Sequence, residues 1–115
     1  MLTNKDIPYY KDNIDNINWG WISWNKELSE EFIEEFKDKV NWYYISCKQI
    51  LSEEFIREFK DKVGWYYISC NQVLSKEFIR EFKGRVHWAE ISHSQILSED
   101  YWEYKEARSR DIITN

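Results

Sequence analysis

Two cysteines, one histidine and one tryptophan recur at one position of this sequence, spaced 23 residues apart. They are Trp24, Cys47, Cys70 and His93. Thiolates and imidazoles are common zinc ligands, but each must lie within about 2.0–2.3 Å of the ion. If these residues lie on neighbouring packed helices, whose axes are about 8–10 Å apart, they cannot share an ion. We therefore expect half-buried side chains and a surface histidine here, with no metal and no other cofactor.

His87 and His93 are the only histidines and therefore the only imidazoles for acid–base chemistry. A hydrolytic triad needs a nucleophile, a base and an orienting group, and neither histidine lies in a motif that supplies them. Glutamates recur four residues before Lys or Arg, which is typical of solvated helix faces. The sequence contains no glycine-rich phosphate loop. We expect that the chain is not an enzyme.

Aromatic residues form two further rows in which rings recur at the 23-residue spacing. Exposed Tyr and Trp side chains bring large contact area at small entropic cost, so a row of them is typical of a protein-binding surface. The alternative is that the rings cover the protein's own core. The candidate binding residues are Trp21, Tyr43, Tyr44, Tyr66, Tyr67 and Trp24, and the charged positions Glu34, Arg57 and Arg80 are secondary candidates.

These rows belong to a tandem repeat of 23 residues, which determines the fold prediction. The invariant columns are mostly apolar, with one serine in each half of the repeat. The main columns are Trp19, Trp42, Trp65 and Trp88; Ile22, Ile45, Ile68 and Ile91; Ser23, Ser46, Ser69 and Ser92; Leu28, Leu51, Leu74 and Leu97. We delimit the repeats as 17–39, 40–62, 63–85 and 86–108, after an N-terminal cap at 1–16 and before a frayed tail at 109–115, all within one domain.

The second half of each repeat has the pattern of an amphipathic helix, here named the B helix. Ser52 is a good N-cap, and Glu53 and Glu54 follow in the first turn, where acids are favoured. Phe55 and Phe59 share one apolar face. We predict B helices at 7–16, 30–39, 53–62, 76–85 and 99–109. Asp6 is the predicted N-cap of the first, with Pro8 in its first turn.

The first half of each repeat is more ambiguous, because its aromatic residues favour strands while its invariant residues follow helical spacing. We interpret it as a short helix, the A helix, and predict A helices at 19–26, 42–49, 65–72 and 88–95. Asn18 and Asn41 are the predicted N-caps. The predicted fold is an all-α solenoid of two-helix repeats. The alternative is a leucine-rich-repeat-like β/α solenoid, in which this half would be a strand.

Two polar columns have structural interpretations that we favour over a ligand groove. The small serines, such as Ser46, would let neighbouring helices approach closely. Gln49, Gln72 and Gln95 would bind backbone groups in the links between helices.

Composition narrows the classes of partner. The net charge of −5 and the interspersed Lys and Arg give no basic surface for phosphates, so we expect no direct nucleic-acid binding. No apolar run reaches the roughly 20 residues of a membrane helix, and the first residues lack the apolar core of a signal peptide. We expect no membrane association, a cytoplasmic location and two free thiols.

The pattern W-x-x-I-S-x-x-Q-x-L-S-E-x-F-I-x-E-F-x-x-x-V, complete from Trp42 to Val63, resembles a short repeat that recurs in phage and giant-virus genomes. The resemblance covers roughly residues 17–104, and Lys26 departs from it by replacing Gln. It implies a viral or mobile-element origin but no shared activity. We expect a protein-binding module, an inhibitor of a host defence effector such as CRISPR acting by occlusion in the host cytoplasm. The alternatives are a nucleotide-binding sponge or sensor and a self-assembling homo-oligomer.

Overall fold

A computed structural model describes residues 1–94, and this part of the chain is all-helical, as predicted. It contains eight α-helices, two short 3-10 helices and no strand. The chain divides into two compact units, Met1–Val63 and Gly64–Asn115. The α-helices are α1 (Ile7–Asp12), α2 (Trp19–Asn25), α3 (Glu30–Glu35), α4 (Trp42–Lys48), α5 (Glu53–Glu58), α6 (Trp65–Asn71), α7 (Lys76–Glu81) and α8 (Trp88–Ser94).

The A helices α2, α4, α6 and α8 begin at the predicted residues, and the first three each end one residue before the predicted end. The predicted end of α8, residue 95, lies outside the described residues. Asn18 and Asn41 cap α2 and α4: their side chains accept hydrogen bonds from the backbone N–H groups of Trp21 and Tyr44. Gly64 occupies the same position before α6 and makes no side-chain cap. Lys26, which follows α2, has extended backbone with φ −109° and ψ 144°. The chain therefore leaves the helical path at this residue and enters the link to the B helix. The helical interpretation of the first half-repeat is therefore confirmed.

The B helices α3, α5 and α7 begin as predicted, after serine caps, but the predicted ends were wrong. Ser29 Oγ accepts from the N–H of Phe32 at 3.1 Å, and the other two serines repeat this cap. Each α-helix ends four residues early, because the following phenylalanine leaves helical geometry, with φ −108° and ψ 32° at Phe36. A turn follows, in which the N–H of Val40 still donates to the carbonyl of Phe36 at 3.0 Å.

The first predicted B helix, 7–16, is also shorter than expected. Helix α1 ends at Asp12, and a separate 3-10 turn covers Ile14–Asn16. Pro8 lies in the first turn of α1, as predicted, where its missing N–H removes no helical bond. Asp6 holds the N-cap position, but its carboxylate binds the N–H of Thr3 at 2.8 Å in a preceding 3-10 turn.

The leucine-rich-repeat alternative was wrong for residues 1–94, because no parallel sheet forms there. One isolated bridge pairs Leu2 with Leu28, and the link residues around Leu28 are extended over only a few positions. The remaining predicted helix at 99–109, the final positions of the glutamine and leucine columns, and the tail lie outside the described residues.

Within each of the first three repeats, the invariant tryptophan joins the A helix to the B helix. The ring of Trp42 packs on Phe59 with centroids 5.0 Å apart, and Trp65 packs on Phe82 at the same distance. The indole N–H of Trp42 donates to the carbonyl of Lys37 at 2.9 Å, in the turn that follows the preceding B helix. The ring is therefore anchored by an apolar contact and a polar bond together.

Between the first two repeats, side chains of one repeat satisfy the backbone of the other. Helices α2 and α4 pack together in the first unit. The fully buried hydroxyl of Ser23 donates to the carbonyl of Trp19 at 2.7 Å and accepts from the N–H of Asn41 at 3.0 Å. In the second unit α6 packs on α8, and Ser69 Oγ accepts from the N–H of His87 at the same 3.0 Å. The small serine thus permits close approach, as predicted, and also bonds across it.

Gln49 confirms the role predicted for the glutamine column. Its carboxamide is buried, and Nε2 donates to the carbonyls of Ser23 and Lys26 at 3.0 and 2.8 Å. Its Oε1 accepts from the N–H of Leu28 at 2.9 Å. One side chain therefore binds the end of α2 and the link that follows it, groups which the helix itself leaves unbonded.

The N-terminal segment binds the opposite edge of the same link. The N–H of Leu2 donates to the carbonyl of Glu27, and the carbonyl of Leu2 accepts from the N–H of Ser29, both at 2.8 Å. In the second repeat, the N–H of Ser52 donates instead to the carboxylate of Glu30 at 2.7 Å. The N–H of the capping serine therefore has a different acceptor in each repeat: the carbonyl of Leu2 for Ser29 and the carboxylate of Glu30 for Ser52.

Candidate binding site

Exposed aromatic rings lie on the A helices, on the side away from the buried isoleucine and serine columns. In the first unit, Trp21 is 52% exposed, Tyr43 53% and Trp24 41%. Tyr44 is half-buried, because its ring meets that of Trp24 with centroids 5.1 Å apart. Helix α2 and helix α4 thus jointly present a cluster of rings in the first unit, to which four of the six predicted binding residues belong.

The other two predicted residues belong to the second unit. Tyr66 is 42% exposed, and Tyr67 is half-buried. Their rings meet edge to face at 5.0 Å, and the imidazole of His87 meets Tyr66 at 5.3 Å. The two units therefore repeat one pattern, in which the first tyrosine of the pair is exposed and the second supports it.

An open groove of about 560 Å³ lies between α2 and α4 in the first unit, which we name the Gly20 groove. Its size lies within the range of ligand pockets. Aromatic rings form its walls, Gly20 contributes no side chain, and three asparagines supply its polar groups. The lining residues are Asn18, Gly20, Trp21, Trp24, Asn25, Asn41 and Tyr44.

The asparagine amides of the Gly20 groove are held by the ends of the helices. Asn18 Oδ1 accepts from the N–H of Trp21 and Asn41 Oδ1 accepts from the N–H of Tyr44, each at 3.0 Å. Asn25 Nδ2 donates to the carbonyl of Trp21 at 3.0 Å. Each amide thus uses one of its two polar ends within the fold. The opposite ends, Nδ2 of Asn18 and Asn41 and Oδ1 of Asn25, are not used in these bonds.

Two lysines lie over the faces of the tryptophans. The ammonium of Lys48 lies 4.7 Å from the ring centroid of Trp24, and that of Lys26 lies 5.7 Å from Trp21, both within cation–π range. A second open depression of about 260 Å³ adjoins Trp24, and these lysines line it together with Glu27 and the 90% exposed Ile50. Trp24 and Asn25 line both depressions, so the two are neighbours on one surface.

The secondary candidates lie elsewhere, on the B helices. Glu34 and Arg57 are exposed on α3 and α5, and Arg80 is half-buried on α7. None of the three lines the Gly20 groove. In the first unit, Glu34 and Arg57 are therefore exposed on B helices, whereas the aromatic cluster lies on the A helices α2 and α4.

The cysteines are free thiols in half-buried positions. Burial raises the pKa of Cys47, and the nearby ammonium of Lys48 offsets this only in part. In the second unit, the thiol of Cys70 donates to the carboxylate of Glu90 at 3.2 Å. Among residues 1–94, no three His, Cys, Asp or Glu side chains converge as a metal site would require. In the same range, no helix has the length and apolar character to span a membrane.

Several residues of this surface were not predicted as binding residues: Asn18, Gly20, Asn25 and Asn41 in the Gly20 groove, and Lys26, Glu27, Lys48, Gln49 and Ile50 in the neighbouring depression. Gly20 carries the clearest signal, since the next two repeats have Tyr43 and Tyr66 at its position. A glycine within a row of tyrosines marks the repeat in which a ring is missing and space is left.

No protein-family model, no curated protein and no solved structure matches this chain.

Proposed function

We propose that this chain is a non-enzymatic protein-binding module that recognises its partner through the exposed rings of its A helices. The observation that carries this proposal is the exposure of Trp21, Trp24 and Tyr43 on short helices whose other faces are packed. Large rings held on ordered helices lose little entropy when a partner covers them.

The local structure favours such a role because the rings are held in place. Asparagine caps hold the first turns of α2 and α4, and buried Ser23 and Gln49 bond the first two repeats together. A preorganised surface avoids part of the ordering cost of association. The resemblance of the repeat to phage and giant-virus repeats favours an inhibitor of a host defence effector. Such a protein would work in the host cytoplasm by covering the effector's working surface.

The proposal is tested by capturing the partner on the wild-type chain, purifying it and measuring its affinity for variants. Tyr43→Ala and Tyr66→Ala each remove an exposed ring from one unit, and Glu34→Ala and Arg57→Ala change the charged surface of the B helices. We expect affinity to fall about tenfold or more for a ring variant, while the charge variants bind as the wild type. The opposite pattern would transfer the binding surface to the B helices. Equal melting temperatures must accompany either result.

A further inference from the structure

The Gly20 groove is a feature of the first repeat, where glycine takes a position that tyrosine holds in the next two. A Cβ atom added at Gly20 would lie 3.8 Å from Asn18 Oδ1 and 3.8 Å from a ring carbon of Tyr44, which are ordinary contacts. The backbone therefore tolerates a side chain here. The glycine keeps the groove open and is not required by a strained backbone.

The ring geometry of the groove disfavours a flat aromatic ligand. Trp24 and Tyr44 meet at an interplanar angle of 71°, so they form a corner and leave no parallel slot for a base. Lysines already lie over Trp21 and Trp24. A corner of two rings can hold a compact saturated ring. Proline-rich segments dock in aromatic-lined grooves because their extended helix is already formed before binding and little entropy is lost.

The polar groups suit the same occupant. A proline has no N–H, so a proline-rich segment presents mainly carbonyl acceptors along its extended backbone. Asn18 and Asn41 use their oxygens to cap the helices, so the caps leave both Nδ2 groups unused, and both residues line the groove. Two amide donors held on the helix ends can therefore bind two carbonyls of the segment.

The neighbouring depression adds a charge preference. Lys26 and Lys48 line it against the single acid Glu27, so this patch is locally positive on a chain whose net charge is −5. Complementary charge favours an acidic residue of the ligand at this place and disfavours a basic one. Because the two depressions adjoin, the acidic residue of the ligand would lie next to the proline that occupies the Gly20 groove.

We infer that the Gly20 groove binds an extended proline-containing segment of the protein partner, with an acidic residue of that segment against Lys26 and Lys48. This inference rests on the proposed protein-binding function and specifies the part of the partner that the first unit recognises.

In the test, the intact chain is titrated with short proline-rich peptides that end either in two aspartates or in two lysines. Isothermal titration calorimetry measures the binding. We expect saturable binding of the aspartate peptides with a dissociation constant below about 1 mM. The lysine peptides should bind at least about tenfold more weakly, and added salt should reduce this difference.

The decisive variant is Gly20→Tyr, which gives the first repeat the residue of its neighbours and fills the groove. We expect it to weaken peptide binding at least about tenfold, whereas Gly20→Ala retains it within about threefold. Gly84→Tyr is the matched control, because a Cβ atom there meets nothing within 4 Å. Far-UV circular dichroism and urea denaturation verify that all three variants fold.

Several results would overturn the inference. One is the absence of saturable peptide binding up to about 1 mM. Another is that Gly20→Tyr binds the peptides as tightly as the wild type. A third is that ATP binds more tightly than the peptides and that Gly20→Tyr abolishes this ATP binding. Self-association that disappears in Gly20→Tyr would assign the groove to a second copy of the chain. If the purified partner binds Gly20→Tyr with normal affinity but no longer binds Tyr43→Ala, the groove inference fails and the proposed function stands. If neither variant affects the partner, both fail.

Discussion

The carboxamide oxygen of Gln49 accepts a hydrogen bond from the backbone N–H of Leu28, 21 residues earlier in the chain. The same side chain donates to two carbonyls of the preceding repeat. Lys26 holds the corresponding place in the first repeat and is exposed. The glutamine therefore stabilises the repeat before its own. The first repeat has Lys26 at this position, and its side chain lies at the surface over the ring of Trp21.

The glutamine contact predicts a large effect from a small truncation. Gln49→Ala leaves one buried N–H and two carbonyls without their partner, so we expect the free energy of unfolding to fall by about 1–3 kcal/mol. Lys26→Ala changes the same repeat position at an exposed site and should stay within about 0.5 kcal/mol of the wild type. Urea denaturation monitored by circular dichroism measures both. Equal losses would show that the bonds of Gln49 do not contribute to stability.

The serine column predicts a contrast between two chemically identical substitutions. Ser23→Ala removes the acceptor of the Asn41 N–H from a fully buried site, and we expect a loss of about 1–3 kcal/mol. Ser92 occupies the same repeat position on α8, where its hydroxyl donates to the carbonyl of Ala89 and is more exposed. Ser92→Ala should be neutral or slightly stabilising, since alanine is the better helix former. A loss at Ser92 that matches the loss at Ser23 contradicts this.

Phe32, Phe55 and Phe78 share one repeat position. This position predicts a difference in stability loss between the first repeat and the segment before it. Phe32 is fully buried, whereas Tyr9, which precedes it by one repeat length, is 62% exposed. We expect Phe32→Ala to cost about 3–5 kcal/mol and Tyr9→Ala less than about 1 kcal/mol. Thermal and urea unfolding provide the comparison. Similar losses would mean that α1 packs as a full repeat does.

The raised pKa of Cys47 predicts slow thiol chemistry near neutral pH. Because burial disfavours the thiolate, the pH at which iodoacetamide reacts at half its maximal rate should lie higher for Cys47 than for glutathione. Peptide mapping of the alkylated chain separates this residue from Cys70. Unfolding in urea should remove the difference, and a Cys47 that reacts like glutathione in the folded chain would contradict the prediction.

Sequence periodicity predicted most of the fold because two signals coincided in each repeat. A serine cap precedes each of α3, α5 and α7, an asparagine cap precedes α2 and α4, and an apolar pattern of helical spacing follows each cap. The helix starts at Trp42 and Glu53 were therefore predicted correctly. The ends of the B helices were not. The turn after Phe36 keeps an N–H to carbonyl bond from Val40 across four residues, so the apolar spacing continues although the helix has ended.

The binding surface was predicted only in part, for a different physical reason. Rings such as Trp21 and Tyr43 were visible as rows, but the exposure of each depends on which ring packs on its neighbour. The corner of Trp24 and Tyr44 joins residues of two repeats, and spacing within one repeat gives no information on it. Gly20 could have been recognised as the exception in its column.

The bonds between the first two repeats also constrain how this gene can change in length. They reach back between 18 and 26 residues, so a single inserted codon within a link would shift Ser23 and Gln49 against their partners together. Insertion of a whole 23-residue copy by in-frame duplication preserves every such offset. Recombination between near-identical copies is therefore the mutational route that we expect to add or remove sequence without loss of folding.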